Sequence, residues 1–299
     1  MESWVFFVLI AQGIWAFTSL IDKFVISKSY IKNPLVYIIL NGLTNILLVF
    51  LLPFVDFKPL NLINFLIASL SSTAVTIGII LYYKAVQYEE ISRITILNQL
   101  IPVFVLVLSF LILNESLSSS NFIGFIFLLS AGLVVSYKKI GTRLKISRAF
   151  YLMFISAIFI AVAYVSAKHI FNVAPFWSAV LWLRLTSFVA LVVLFIPSIK
   201  KEFIETFTGM KNSIKGLLGL KMTVDFIAFI ISDFAILLGP VSLVSALSAS
   251  SSPLLVFVLA LLTTLYFPKI LKEDISRKNI LIKLLAILLI IIGIIFVNL

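Results

Sequence analysis

The feature that most constrains this chain is a succession of apolar runs of nearly equal length. Ten can be set out, at residues 4–21, 34–54, 62–86, 91–113, 122–137, 150–167, 175–196, 214–238, 241–267 and 279–297. About 20 helical residues at 1.5 Å rise cross roughly 30 Å of hydrocarbon, so each run is long enough to span a bilayer. Hydrophobic residues make up 62% of the chain and charged residues 12%, a composition that excludes a soluble fold. The expected class is therefore an all-α integral membrane protein with ten transmembrane helices. No basic stretch precedes the first run, which reads as a retained helix rather than a signal peptide. The chain has no cysteine and a single histidine, His169. Disulfides, thiolate chemistry and a multi-histidine metal centre are all excluded, and no cofactor or metal is expected.

The runs fall into two related sets. The stretch Tyr82-Tyr83-Lys84-Ala85-Val86 leads through Asn98-Gln99-Leu100-Ile101-Pro102 to Asn114-Glu115-Ser116-Leu117, then to an apolar run around Gly124 and Gly132. A weaker copy follows Asp233, with Gly239-Pro240 and Ser250-Ser251-Ser252-Pro253. Setting Pro102 on Pro253 pairs Tyr82 with Asp233, Thr95 with Ala246 and Asn98 with Ala249. Residues 1–139 form a first five-helix repeat, 140–148 a basic linker and 149–299 a second five-helix repeat. Five is odd, so the second unit enters the membrane from the opposite side. Inverted-topology repeats of this kind place a substrate site near the bilayer midplane, at their interface.

The Tyr-Tyr-Lys-Ala opening, Pro102, the Asn-Glu-Ser-Leu turn and the glycine-bearing run after it resemble the drug/metabolite transporter superfamily, and within it the ten-helix EamA-type branch. The resemblance covers nearly the whole chain and implies transport, in many members export. It implies little about substrate. Two positions depart from the pattern. Tyr266 stands where the second copy of Glu115 would fall, and Asn41 stands where the family often has an arginine, although Arg184 keeps the arginine of the seventh span.

The formal net charge of +11 raises a nucleic-acid reading, but the placement of the charge argues against it. Of the 23 lysines and arginines, 20 lie in or beside loops that follow odd-numbered spans. Only Lys58 and Lys168 lie on the other side, and Arg184 is within a span. The positive-inside rule then puts the basic loops in the cytoplasm and both termini outside, in a cytoplasmic (inner) membrane. Eukaryotic carriers of the superfamily are usually described the other way round. Residues 200–215 form the longest polar connection; Phe203, Ile204 and Phe207 recur there at helical spacing, which suits a helix at the membrane surface.

Charge inside a span costs roughly 2.5–3.5 kcal/mol on insertion scales, so each such residue needs a reason. Arg184 is either a fixed cation for a substrate carboxylate or phosphate, or the structural partner of Asp225 or Asp233. Asp225 is either a protonatable coupling group or the i,i+4 partner of Lys221. Asp233 has the same two readings. Thr95, Asn98, Gln99 and Pro102 share one face of the fourth span. Ser242, Ser245, Ala249 and Ser252 form the matching small-residue face of the ninth, which suits either close packing or a cavity wall. Trp15 and Ser19 share a face of the first span with Gln12, and Tyr164 holds a corresponding place in the sixth. Trp4 and Trp177 sit near span ends, as belt residues do, and His169 is expected in solvent. Glu115 is expected to anchor the turn between the fourth and fifth spans.

The candidate substrate-binding residues are Trp15, Ser19, Asn41, Tyr82, Asn98, Gln99, Tyr164, Arg184 and Ser245, with Asp225 and Asp233 as candidate coupling groups. No catalytic triad, phosphate loop or metal-ligand spacing occurs, so an enzyme is not expected. The leading expectation is a secondary transporter, an exporter of a small polar metabolite such as an amino acid, working by alternating access, with the bilayer as environment and protons as a candidate coupling ion. An exchanger of an anionic sugar phosphate or nucleotide sugar is the alternative within transport. A membrane-embedded enzyme or lipid-handling protein is the alternative outside it.

Overall fold

The structure is a computed structural model describing residues 2–27, 33–86, 88, 94, 97–136, 148–186, 191, 194–266 and 277–299. The basic linker at 140–147 and Thr95 lie outside the described residues. In the first half of the chain the helices are α1 (Ser3–Ser27), α2 (Pro34–Ile46), α3 (Leu62–Val86), α4 (Leu100–Leu113) and α5 (Ser119–Ser136). The second half has α6 (Arg148–Val173), α7 (Phe176–Leu185), α8 (Pro197–Gly209), α9 (Asn212–Leu238), α10 (Val241–Tyr266) and α11 (Arg277–Val297).

Five stretches, within α1, α3, α6, α10 and α11, are long and apolar enough to cross a membrane among the described residues. α9 is equally long, but it carries Lys215, Lys221, Asp225 and Asp233. The second span is not one continuous α-helix. α2 passes into a 3₁₀ segment, Leu47–Phe54, that contains Pro53. A proline ring clashes with the carbonyl four residues back and donates no N–H, so an α-helix is not continued through Pro53. Pro102 lies in the first turn of α4, where its missing N–H costs nothing, and not in mid-helix as the length of the apolar run suggested. Pro253, by contrast, is inside α10.

Packing runs across the two halves. α3 lies on α6 and α1 on α9; α4 lies on α6 and α1 on α10; α5 packs on α11 and α4 on α10. Exchanging the halves turns the first member of each of the first two pairs of contacts into the second. Small residues set the closest approaches. Gly124 of α5 and Gly293 of α11 face each other's backbone carbonyls, and a Cβ on either would collide. Such close contacts are what hold helices together in lipid, where no hydrophobic drive operates between them. The serines of α10 belong to this packing: Ser242, Ser245, Ser250 and Ser251 are buried, and Ser245 donates to the Ser242 carbonyl at 2.8 Å. Trp4 is buried at 2% exposure rather than standing in an interfacial belt, because Gly239 leaves room for its indole against the α9–α10 turn.

Candidate functional site

A cavity of about 460 Å³ opens between α1, α2, α3, α6, α7 and α9. Polar groups reach it from each side: Asn45 from α2, Ser71, Ser72 and Thr76 from α3, Arg184 from α7, and Asp225 and Asp233 from α9. Its aromatic wall includes Trp15, Tyr82, Tyr164 and Phe229. The volume lies in the range of small-molecule sites, and an apolar wall with a few convergent polar groups is their usual make-up.

Two ion pairs set the electrostatics. Arg184 Nη2 donates to Asp233 Oδ2 at 2.7 Å, joining α7 to α9. Its guanidinium also lies 4.6 Å from the centre of the Phe229 ring, and Trp15 meets the same ring edge-on at 5.0 Å. Lys221 Nζ lies 2.7 Å from Asp225 Oδ2, one turn away on α9. Thr18 Oγ1 donates to the other Asp225 oxygen at 2.6 Å, which ties α1 to α9. Each acid of the cavity wall therefore has a cation, and the pairs add no net charge to it. Of the alternatives open for Arg184, the arrangement selects Asp233 as partner, not Asp225.

At the α9–α10 turn a second set of charges closes the bundle. Lys168 Nζ donates to the carbonyls of Ile236, Leu237 and Gly239 at 2.8, 2.9 and 2.9 Å, capping the C-terminus of α9. Glu115, in the loop after α4, faces the Ser109 side chain, Lys168 and the backbone N–H groups of Val241 and Ser242 at the start of α10. Burial pushes its carboxyl above the usual carboxylate range, and those neighbours offset part of the rise. Neither carboxylate oxygen has a hydrogen-bond partner among the described residues, so Glu115 faces this turn without being bonded to it. Phe234 stacks on Phe176 at 3.8 Å and on Phe7 at 5.7 Å just below. His169 is partly buried, with Nε2 3.1 Å from Asn64 Oδ1, rather than fully in solvent.

Six of the residues singled out in the sequence line the cavity: Trp15, Tyr82, Tyr164, Arg184, Asp225 and Asp233. Others lie apart from it. Ser19 donates to the Ala16 carbonyl at 2.7 Å along its own helix. Asn98 sits in the turn before α4, and Gln99 is buried against Gly132 with Nε2 on the Ala249 carbonyl at 3.2 Å. Neither amide is among the residues that line the cavity with Arg184, and Gln99 reaches Gly132 of α5 and Ala249 of α10 instead. Ser245 is in the α10 packing. Asn41 is on α2, but its side chain is outside the described set. Sequence reasoning missed Ser71, Ser72, Thr76, Asn45 and Phe229. The polar cluster at 71, 72 and 76 in an otherwise apolar span was the available signal. Ser72 Oγ donates to the Leu183 carbonyl at 2.9 Å, which fixes α7 one residue before Arg184. Among the described residues, no group of three metal-ligating side chains occurs.

Residues 2–137 match the model of the EamA-like transporter family. No curated protein matches the chain. Among solved structures, one crystal structure superposes with a TM-score of 0.70 at 16% identity, covering 100% of this chain and 99% of its own. At that identity the likeness shows a shared fold.

Proposed function

We propose that this multi-pass membrane protein, whose residues 2–137 belong to the EamA-like transporter family, is a secondary exporter of a small zwitterionic metabolite such as an amino acid. Transport is what the family does, and the chain contains no phosphate loop to draw on ATP. The observation behind the substrate class is the Arg184–Asp233 pair in the cavity wall.

Removing one partner from a buried ion pair costs about 3–5 kcal/mol, because the other is left uncompensated. A ligand that takes only Arg184 would strand Asp233. A zwitterion satisfies both, its carboxylate on the planar guanidinium and its ammonium on Asp233. A sugar phosphate brings two negative charges to a wall whose cations are already matched by acids, which disfavours the exchanger reading. Asp225 and Asp233 remain the candidate proton-coupling groups. The cross-half packing supports two inverted five-helix repeats, ten spans in all, rocking about this cavity in alternating access. The charge asymmetry of the loops supports an inner-membrane orientation with basic loops in the cytoplasm and both termini outside.

A thermal-stabilisation screen of the purified protein tests the substrate class, with neutral amino acids, their decarboxylated amines, their deaminated acids and sugar phosphates. Zwitterions should raise the melting temperature where neither half-molecule does. Stabilisation by sugar phosphates alone would reverse the choice. Orientation is tested separately, by impermeant thiol labelling of single cysteines at Gly141 and Asn61 in intact cells. Labelling at Asn61 and not at Gly141 is expected.

A further inference from the structure

The connection between α7 and α9 presents a surface that the cavity does not use. α8 is held to the bundle on one side only. Phe203 packs on the cluster of Val25, Val36, Met210 and Met222, and Asn33 Nδ2 donates to Glu202 at 2.7 Å. The rest of the segment is open. Ile204 and Phe207 are 47% and 41% exposed, and Phe195 and Ile196, just before the helix, are more so or equally so, at 85% and 47%. Among these apolar groups stand Lys200, Lys201 and Lys211, all exposed, and Lys215, whose Nζ lies 5.1 Å from the centre of the Phe207 ring.

Acids do not cancel these lysines. Glu202 is taken up by Asn33, and Glu205 meets Lys201 only at 3.9 Å with both side chains largely exposed. An exposed pair of that kind is weak. The corresponding connection in the first half, residues 55–61, has no helix, and its Lys58 is matched by Asp56 at 3.3 Å. The basic, apolar-edged helix is thus a feature of one half and of the side with the basic loops. Its position leaves one partner in reach. Two residues, Met210 and Lys211, separate α8 from α9, so the helix is tethered at the level where membrane helices end and lipid headgroups lie.

We propose that α8 lies in the membrane plane and docks on anionic phospholipid headgroups. Lys200, Lys201, Lys211 and Lys215 meet the phosphates, while Ile204 and Phe207 enter the acyl boundary. Lys200 shares the exposed face of Ile204 and Phe207, so its stem can lie along those apolar groups while its ammonium, like those of Lys201, Lys211 and Lys215, reaches the headgroups, and anionic headgroups draw such lysines.

The chain has no cysteine, so one can be introduced at Thr208, labelled with an environment-sensitive fluorophore, and the full protein reconstituted in phosphatidylcholine vesicles. A fixed fraction of either phosphatidylglycerol or phosphatidylcholine is then brominated in its acyl chains. The brominated anionic lipid should quench the label at least roughly twofold more than the neutral one. The Lys200→Gln, Lys201→Gln, Lys211→Gln, Lys215→Gln variant should quench equally with both, with an unchanged melting temperature. The same label at Asn61, on the opposite side, should show no preference. Equal quenching by the two lipids in the parent, quenching by neither, or an equal preference at Asn61 would each overturn the proposal. The parent comparison stands even if the lysine variant fails to fold.

Discussion

Two ion pairs on α9 have the same nitrogen–oxygen distance, 2.7 Å, and quite different meanings. Lys221 and Asp225 are one turn apart on one helix, with side chains 6% and 10% exposed. That pair survives any rigid movement of α9. Arg184 and Asp233 are 49 residues apart and join two helices across the cavity, with 19% of the arginine side chain still open. That pair exists only while α7 and α9 keep their present separation. The local pair is a property of the helix, and the distant one is a property of the conformation. Only the second is altered when α7 and α9 move relative to each other.

The largest effect should follow from breaking the distant pair. Asp233→Asn leaves Arg184 buried beside a neutral amide and should lower unfolding stability by about 3–5 kcal/mol. The double change Arg184→Met, Asp233→Met should recover most of this, since two apolar groups leave no orphaned charge. Melting the parent and the two variants in the same detergent checks both statements, and a double variant as unstable as the single one would contradict the pairing.

Asp225→Asn should cost less, about 1–3 kcal/mol. Lys221 keeps a long flexible arm with which to reach toward water. The Thr18 hydroxyl can still bond the amide oxygen. If Asp225 couples protons, uptake into liposomes by this variant should lose its response to an imposed pH gradient while exchange continues. A variant still driven by the gradient would leave Asp225 as the structural partner of Lys221 and Thr18.

The smallest effect concerns Glu115, a buried acid outside the spans whose neighbouring ammonium, Lys168, is engaged by three carbonyls. Burial raises its folded value, so the folded protein binds this proton more tightly than the unfolded chain does. The associated stability is full below the unfolded value, about pH 4.3, and is lost as pH rises through the folded value. Glu115→Gln is neutral throughout. Its melting temperature should therefore fall less than the parent's as pH rises from acid to neutral, and parallel curves would show that Glu115 does not contribute.

The same contrast between local and distant explains how much could be read in advance. Lys221–Asp225 was legible as an i,i+4 spacing, and the helix Pro197–Gly209 within and just before the polar connection at 200–215 as a recurrence of Phe203, Ile204 and Phe207. Arg184 offered two acids at the level of sequence, because helix rotation and depth decide between them. For the same reason Asn98 and Gln99 were assigned to the wall of the cavity, while both lie in the turn before α4 and Gln99 reaches Gly132 and Ala249. Ser71, Ser72 and Thr76 went unmarked because hydroxyls in spans so often bond to their own helix. Ser72 and Thr76 do so here, and Ser72 also reaches α7. Apolar length pointed to an all-helical membrane chain, but not to the change to 3₁₀ geometry before Pro53 or the burial of Trp4 on Gly239. Both depend on contacts between distant segments or on strain within a turn.

Asp233 holds Arg184 in this conformation, and under the proposed function a substrate carboxylate takes its place. Arg184→Lys tests it on one purified sample, with ligand affinity and melting temperature measured together. A lysine keeps the charge and so most of the pairing with Asp233, but replaces a planar fork by one compact ammonium. The dissociation constant should rise about tenfold, about 1.4 kcal/mol, with a melting temperature close to the parent's. An unchanged dissociation constant with a depressed melting temperature would make Arg184 a strut of the fold and remove it from the site.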